Sequence, residues 1–301
     1  MRALLVVNST ATTTSSWVRD VIAKALSADL QLDVVDTKNR GHATHLTRGA
    51  VHEGVDLVVA LGGDGTINEV LNGLAGTEVP LGIIPGGGTN VLCRSLGLPP
   101  DPVEATATLL QNLREGRRRT INLGQANERY FGFAAGLGFD AAVVQAVERR
   151  VHLRRTAKDS LFIYSVFQTY FGYPKRQPSI YAKFADGSTS EPLMMAVACN
   201  SNPFTYLGDH PMQLCPDADF DLGIDLAGIT RLRPFYIVHL AVQTVTSTRH
   251  TRGKRFRYWR DLEEFSLSSD SPQHCQVDGD YVGERDCLRI RSVPNALTVI
   301  A

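Results

Sequence analysis

Apolar and polar positions along the chain fall into two textures, with the change near residue 120. In the first, runs of β-forming residues at 2–7, 30–35, 57–61 and 80–84 have the length of buried strands. Between them apolar residues return at helical spacing. Val18, Val21, Ile22, Ala25 and Leu26 predict a helix over 16–28, and another is predicted over 44–53. Ile67, Val70, Leu71 and Leu74 trace one buried face of a third. Leu92, Leu96 and Leu98 mark a further helical run. The prolines at 99–102 open a helix predicted to end in Arg117, Arg118 and Arg119, cations that offset a helix dipole. Regular strand–helix alternation predicts a parallel sheet covered on both faces.

Beyond residue 120 the runs become short and β-like, at 120–123, 130–135, 180–184, 194–199, 223–226, 255–259, 264–268 and 288–290. Turn residues separate them at the spacing of an antiparallel sandwich. The expected fold is an α/β N-terminal domain with a parallel sheet plus a C-terminal antiparallel β-sandwich domain, divided near residue 125.

Composition narrows the function classes only a little. The 301 residues suit two domains, and 31 basic against 31 acidic side chains give no overall charge toward nucleic acid. The basic-aromatic run 249–260 reads as an alternating edge strand, so no nucleic-acid partner is expected. Cys93, Cys199, Cys215, Cys275 and Cys287 form no CxxC pair, which favours free thiols in a reducing cytoplasm. His42, His45 and His52 lack partner ligands at metal spacing. There is no signal-peptide pattern and no apolar run near 18 residues.

Two glycine turns carry the chemistry. The first, Gly62-Gly63-Asp64-Gly65, lies between a strand and a helix, where free N–H groups and the helix dipole favour an anion. Read plainly it is a tight turn with Asp64 or Thr66 as N-cap and Glu69 completing a capping box. Thr44 likewise reads as an N-cap. The second turn, Pro85-Gly86-Gly87-Gly88-Thr89-Asn90, follows the next strand. In a parallel sheet both turns emerge at the carboxyl edge, where open α/β sheets bind ligands. GxxxxGK[ST] is absent, so a phosphate here would be held by backbone amides and hydroxyls. Gly136, Gly138 and Ala141 fit GxGxxA, but Asp159 lies at the polar entry to an apolar helix, not at the end of a second strand, which disfavours a dinucleotide fingerprint.

The segments GGDGTINEVLNGL and PGGGTN, with Asn8-Ser9-Thr10, Gly41-His42-Ala43-Thr44, Gly138-Phe139-Asp140-Ala141 and Gln276-Val277-Asp278-Gly279-Asp280, resemble the diacylglycerol kinase catalytic family over nearly the whole chain. GGDGT by itself is shared with NAD kinases. The resemblance implies an ATP- and Mg²⁺-dependent lipid kinase phosphorylating diacylglycerol or a similar lipid. It implies a nucleotide-binding domain over 1–125 completed by 291–301, and a lipid-substrate domain over 126–290. Cofactor-binding residues would be Asn8, Ser9, Thr10, Thr44, Gly62, Gly63, Asp64, Gly65, Thr66, Glu69, Gly86, Gly87, Gly88, Thr89 and Asn90. Asp278 would be the general base, with Asp280 where the family usually has Glu. Asp64 would position Mg²⁺, and Asp221 and Asp225 match an acidic segment in which bacterial members hold a structural Mg²⁺. Peripheral contact with the inner face of the membrane is expected, and a homodimer is compatible with the resemblance.

Three departures stand against this pattern. Leu222 replaces a glycine of the acidic segment, Val91 replaces the acid of GTND, and Asn122 replaces the acid of IDLG. A NAD-kinase-like enzyme with a soluble substrate, and a non-catalytic nucleotide- or lipid-binding protein, are the alternatives. For the segment 147–174, two readings stay open. Arg149, Arg150, Arg154, Arg155 and Lys158 beside Phe162, Tyr164, Phe167, Tyr170, Phe171 and Tyr173 form either a solvated helix leading into a core helix, or a lipid-docking surface.

Overall fold

Four strands, β1 (Arg2–Val7), β2 (Gln31–Asp36), β3 (Leu57–Gly62) and β4 (Leu81–Pro85), pair in parallel in the order β2-β1-β3-β4 in the computed structural model, which describes residues 1–8, 15–150, 158–173 and 177–301. Every residue of β3 and β4 is buried, which explains their unbroken apolar texture. Helices α1 (Ser16–Ser27) and α5 (Pro102–Glu115) cover one face, where Ile22, Leu26 and Leu109 pack with Leu5, Leu57, Val59 and Leu61. Helices α2 (His42–His52) and α3 (Asp64–Leu74) pack together and cover the other. Each buried Leu or Ile contributes about 1.5–3 kcal/mol relative to exposure. These elements, with the short α4 (Val91–Ser95), belong to a unit formed by Met1–Leu123 and Pro294–Ala301.

Local chemistry moves several predicted boundaries. Helix α2 begins at His42 behind Gly41, so Thr44 lies inside it and is not its N-cap. The cap comes from another helix: the Glu69 carboxylate of α3 accepts the Gly41 and Ala43 N–H groups at 2.7 and 3.0 Å. Glu69 is therefore not engaged in a capping box on its own helix, which starts behind Gly63. Helix α5 stops at Glu115 because Gly116 turns left-handed, and Arg119 already opens β5 (Arg119–Ala126).

The second unit, Gly124–Val293, is antiparallel. Its strands are β6 (Arg129–Phe131), β7 (Ala134–Gly138), β8 (Ile180–Phe184), β9 (Met195–Cys199), β10 (Thr205–Leu207), β11 (His210–Met212), β12 (Ile224–Ile229), β13 (Phe256–Leu262), β14 (Glu264–Val277) and β15 (Asp280–Val299), the last running on into the first unit. The sheet order β13-β12-β9-β7-β14 leaves β13 at the edge, as its alternation predicts. The start of β14 pairs with β8 and its end with β7, with a break between Ser268 and Gln273. Both halves line one core, through Phe265 and Leu267 on one side of the break and Cys275 and Val277 on the other. Polar residues at the break explain why only the first five residues of this long strand are evident in the sequence.

Helices α6 (Phe139–Glu148), α7 (Lys158–Gly172) and α8 (Pro234–Thr246) complete the unit. Helix α8 has no counterpart in the predicted elements. The run predicted over 130–135 is two strands, broken at Gly132–Phe133. All five cysteines are free.

Candidate functional site

In the first unit, β1 is flanked by β2 on one side and β3 on the other, so the chain reverses its direction of winding beside it. Ligand crevices in parallel sheets lie outside the carboxyl ends at such a reversal. Register aligns those ends: Val7 pairs Leu61, and Gly62 pairs Pro85. Asn8 and both glycine bends therefore emerge together.

The bends touch. The Gly86 N–H donates to the Gly62 carbonyl at 2.7 Å, and a Cβ on Gly63 would lie 3.2 Å from the Gly87 Cα. Asn90, itself left-handed at φ 50°, closes the second bend by accepting the Gly87 N–H and donating to the Gly87 carbonyl. Asn8 Nδ2 donates to Thr66 Oγ1 at 3.0 Å, joining the end of β1 to the first turn of α3. Thr44 Oγ1 donates to the Glu69 carbonyl. Asp64 occupies the first position of α3 beside Gly65 and is half-buried. Its neighbour Cys93 has a thiol pushed up to about 12, by burial first and then by the Asp64 charge. Gly88 is exposed and Thr89 partly so. The structure thus gathers Asn8, Gly62, Gly63, Asp64, Gly65, Thr66, Gly86, Gly87, Gly88, Thr89 and Asn90 at one edge. Thr44 and Glu69 have their side chains engaged in tying α2 to α3. Ser9 and Thr10 lie outside the described residues.

In the second unit, the β14–β15 hairpin turns at Asp278-Gly279, both left-handed at φ 48° and 74°, the backbone of a two-residue hairpin loop. Each residue of the turn is tied down. Asp278, only 2% exposed, accepts N–H groups of Gly132, Phe133 and Ala134 at 2.7–3.0 Å. The Gly279 N–H donates to Gln276 Oε1, Asp280 pairs with Arg129 at 2.8 Å, and the Tyr281 N–H donates to Glu148. Asn200 holds the same bend from behind, donating its side chain to the Gly132 carbonyl and its N–H to the Phe133 carbonyl. Asp278 thus carries a holding task that its expected role as general base did not include.

Asp140 and Gln276 are the residues whose roles the sequence did not disclose. Asp140 folds back over Gly136, where a Cβ would lie 2.0 Å from its Oδ2, and that oxygen accepts from Gln276 Nε2 at 3.2 Å. Its Oδ1 is enclosed, and burial pushes the carboxyl up to about 7 against opposing hydrogen bonds from Gln276 and from the Ala141 and Asp140 backbone. Glycine at 136 four residues before an acid was the available signal.

Residues 2–126 match the family model of the diacylglycerol kinase catalytic domain. Through these residues the chain is similar to the diacylglycerol kinase catalytic family. It is 32% identical over 187 residues to a diacylglycerol kinase of Mycobacterium tuberculosis, covering 60% of this chain and 57% of that protein. It is 41% identical over 120 residues to a diacylglycerol kinase of Bacillus subtilis, covering 39% of each. The matched segments thus span between about two fifths and three fifths of these relatives' lengths. A crystal structure of a diacylglycerol kinase from Bacillus anthracis superposes with a TM-score of 0.71 at 20% identity, over 99% of this chain and 96% of that one, a likeness of fold.

The two glycine bends and the half-buried Asp64 lie at one edge of the first unit. The acidic segment of the second unit fits a cation poorly. Asp225 is 1% exposed, with Oδ2 accepting the Tyr258 hydroxyl and Oδ1 the Asp261 N–H. Burial raises its carboxyl above the ordinary value, against the Tyr258 and Asp261 hydrogen bonds. Arg260 pairs with Asp217, and Asp221 is exposed. Mg²⁺ demands six oxygens near ideal octahedral geometry. Here donors already occupy the Asp225 oxygens, and among the described residues no group of three or more His, Cys, Asp or Glu is arranged to hold a metal. Asn122, at one departure from the family pattern, accepts the Asn295 N–H at 2.9 Å. In the segment 147–174, Tyr170 and Tyr173 pack edge-on against Phe139 while Tyr164 and Phe171 are exposed. Arg154 and Arg155 lie outside the described residues, as do the side chains of Lys158 and Phe162.

Proposed function

We propose that the chain is an ATP- and Mg²⁺-dependent lipid kinase that transfers the γ-phosphoryl group to the hydroxyl of diacylglycerol or a similar lipid. The observation carrying this reading is the meeting of the Gly63 and Gly87 backbones at the sheet's switch point, in a chain whose residues 2–126 match the diacylglycerol kinase catalytic domain. Phosphoryl transfer relies on positioning and charge stabilisation. Backbone N–H groups at the start of α3 would meet the phosphates, and close backbone approach excludes side chains that would displace them. Asp64 would hold Mg²⁺ through water, and the cation would neutralise charge on the phosphates.

On the acceptor side we assign the lipid hydroxyl to Asp278, whose direction is set by the three N–H donors of residues 132–134. Asp280 and Arg129 fix the far side of the turn. A lipid acceptor requires the enzyme to work at a membrane surface.

Incubation with γ-labelled ATP, Mg²⁺ and a total lipid extract tests the reading. The expected product is a labelled phospholipid, lost in Asp278→Asn while ATP binding persists. Label on NAD, or ATP binding with no labelled lipid, overturns it.

A further inference from the structure

Helix α8 turns its larger apolar side chains outward. It buries Leu240 and Thr244, yet Phe235 is 90% exposed, Val242 53% and Val238 46%. Positions 235, 238 and 242 follow i, i+3, i+7 and form one stripe along the helix. An aromatic ring standing almost fully in water at the head of an apolar stripe is unfavourable unless something covers it.

The charge around the stripe says what does. From 226 to 260 the sequence holds no Asp or Glu, in a chain whose overall charge is balanced. Arg231 and Arg233 precede α8 directly, Arg249 and Arg252 lie in the 3-10 turn Arg249–Arg252 that packs against it, and Lys254 follows; all five are exposed. Cations thus flank both ends of an apolar stripe whose helix carries exposed His239 but no Asp, Glu, Lys or Arg. A protein partner of ordinary composition would not call for this pattern. A negatively charged bilayer does, since apolar side chains enter the acyl boundary while arginines meet phosphate headgroups.

We infer that α8, with Phe235 as its anchor and the flanking Arg231, Arg233, Arg249, Arg252 and Lys254, docks the protein on anionic lipid bilayers. This rests on the lipid-kinase reading only for its purpose. The docking itself needs no catalysis. It also places the contact on a helix other than α7, whose Tyr170, with Tyr173 just beyond its end, packs edge-on against Phe139.

Flotation of the full chain with vesicles of phosphatidylcholine alone, or mixed with phosphatidylglycerol, tests the inference. The parent is expected to float with the mixed vesicles and to be released as salt rises. Phe235→Ser should weaken binding about tenfold or more, the effect of losing one buried aromatic anchor. Arg231→Glu with Arg233→Glu should abolish the preference for anionic lipid. Turnover on vesicles should fall in both variants, while turnover of a short-chain lipid dispersed as monomers stays unchanged. Variants that float like the parent overturn the inference. So does a parent dimer that Phe235→Ser converts to monomer, or retention on nucleic acid in place of vesicles. Vesicle binding without lipid phosphorylation would leave the surface standing and remove the kinase reading instead.

Discussion

A Cβ placed on Gly87 would lie 2.6 Å from the Cα of Gly63, closer than any side chain allows without moving the backbone. Two bends 24 residues apart in the chain are in backbone contact because β3 and β4 pair in register up to Gly62 and Pro85. Gly87→Ala must part them. We expect a loss of ATP affinity of tenfold or more, with thermal stability lowered by only about 1–3 kcal/mol, the usual range for overpacking. Calorimetric titration with ATP alongside thermal melting decides the matter. Unchanged affinity would mean the bends do not hold the nucleotide.

Glu69 supplies both hydrogen-bond acceptors at the start of α2. Glu69→Ala leaves the Gly41 and Ala43 N–H groups without that cap, at a loss of about 1–2 kcal/mol. A drop in melting temperature is the expected readout. If the variant melts like the parent but binds ATP weakly, Glu69 serves the nucleotide and not the helix.

Asp140 makes stability depend on pH in an uncommon direction. Its folded carboxyl titrates at about 7 because burial disfavours the charge, against about 4 in an unfolded chain. The folded state therefore binds the proton more tightly, and this contribution to stability is lost as pH rises from about 4 to about 7. Tyr173 and Cys275 are the titratable groups that feel its charge. Asp140→Asn keeps an acceptor for Gln276 and carries no charge. It should be the more stable protein near pH 8, by on the order of 2 kcal/mol after allowance for partial contact with water, and no more stable near pH 4. Melting curves at the two pH values check this, and a difference of the same size at both would refute it.

Tyr258 donates to Asp225 and accepts the Asp217 N–H at 3.0 Å, tying the acidic segment to β13. With the cation's place taken by side chains, EDTA should leave the melting temperature of the nucleotide-free protein unchanged. Tyr258→Phe should lower it by a few degrees, since a buried carboxylate loses a donor at about 1–3 kcal/mol, and Mg²⁺ should not restore it. A melting temperature that EDTA lowers in the parent would return the metal to this segment.

Much of the first unit is legible in the chain because its signals are local. A fully buried strand such as β3 is apolar throughout, and α3 repeats its apolar face within eleven residues. The glycine bends announce themselves because only glycine tolerates such close approach. The second unit is less legible. β14 carries polar residues across its break, and α8 is apolar on its outer face, so neither follows the pattern of a half-buried element.

The sequence by itself determined the strand–helix alternation and the two glycine bends, since each depends on the conformational preferences of neighbouring residues. Tertiary structure alone decided that Glu69 caps a different helix, that Asp278 grips residues 132–134, that Tyr258 and Arg260 occupy the acidic segment, and that α8 faces outward. Those outcomes depend on which distant groups meet once the sheet has formed, and hydrogen-bond partners separated by 26 to 146 residues leave no periodicity to read.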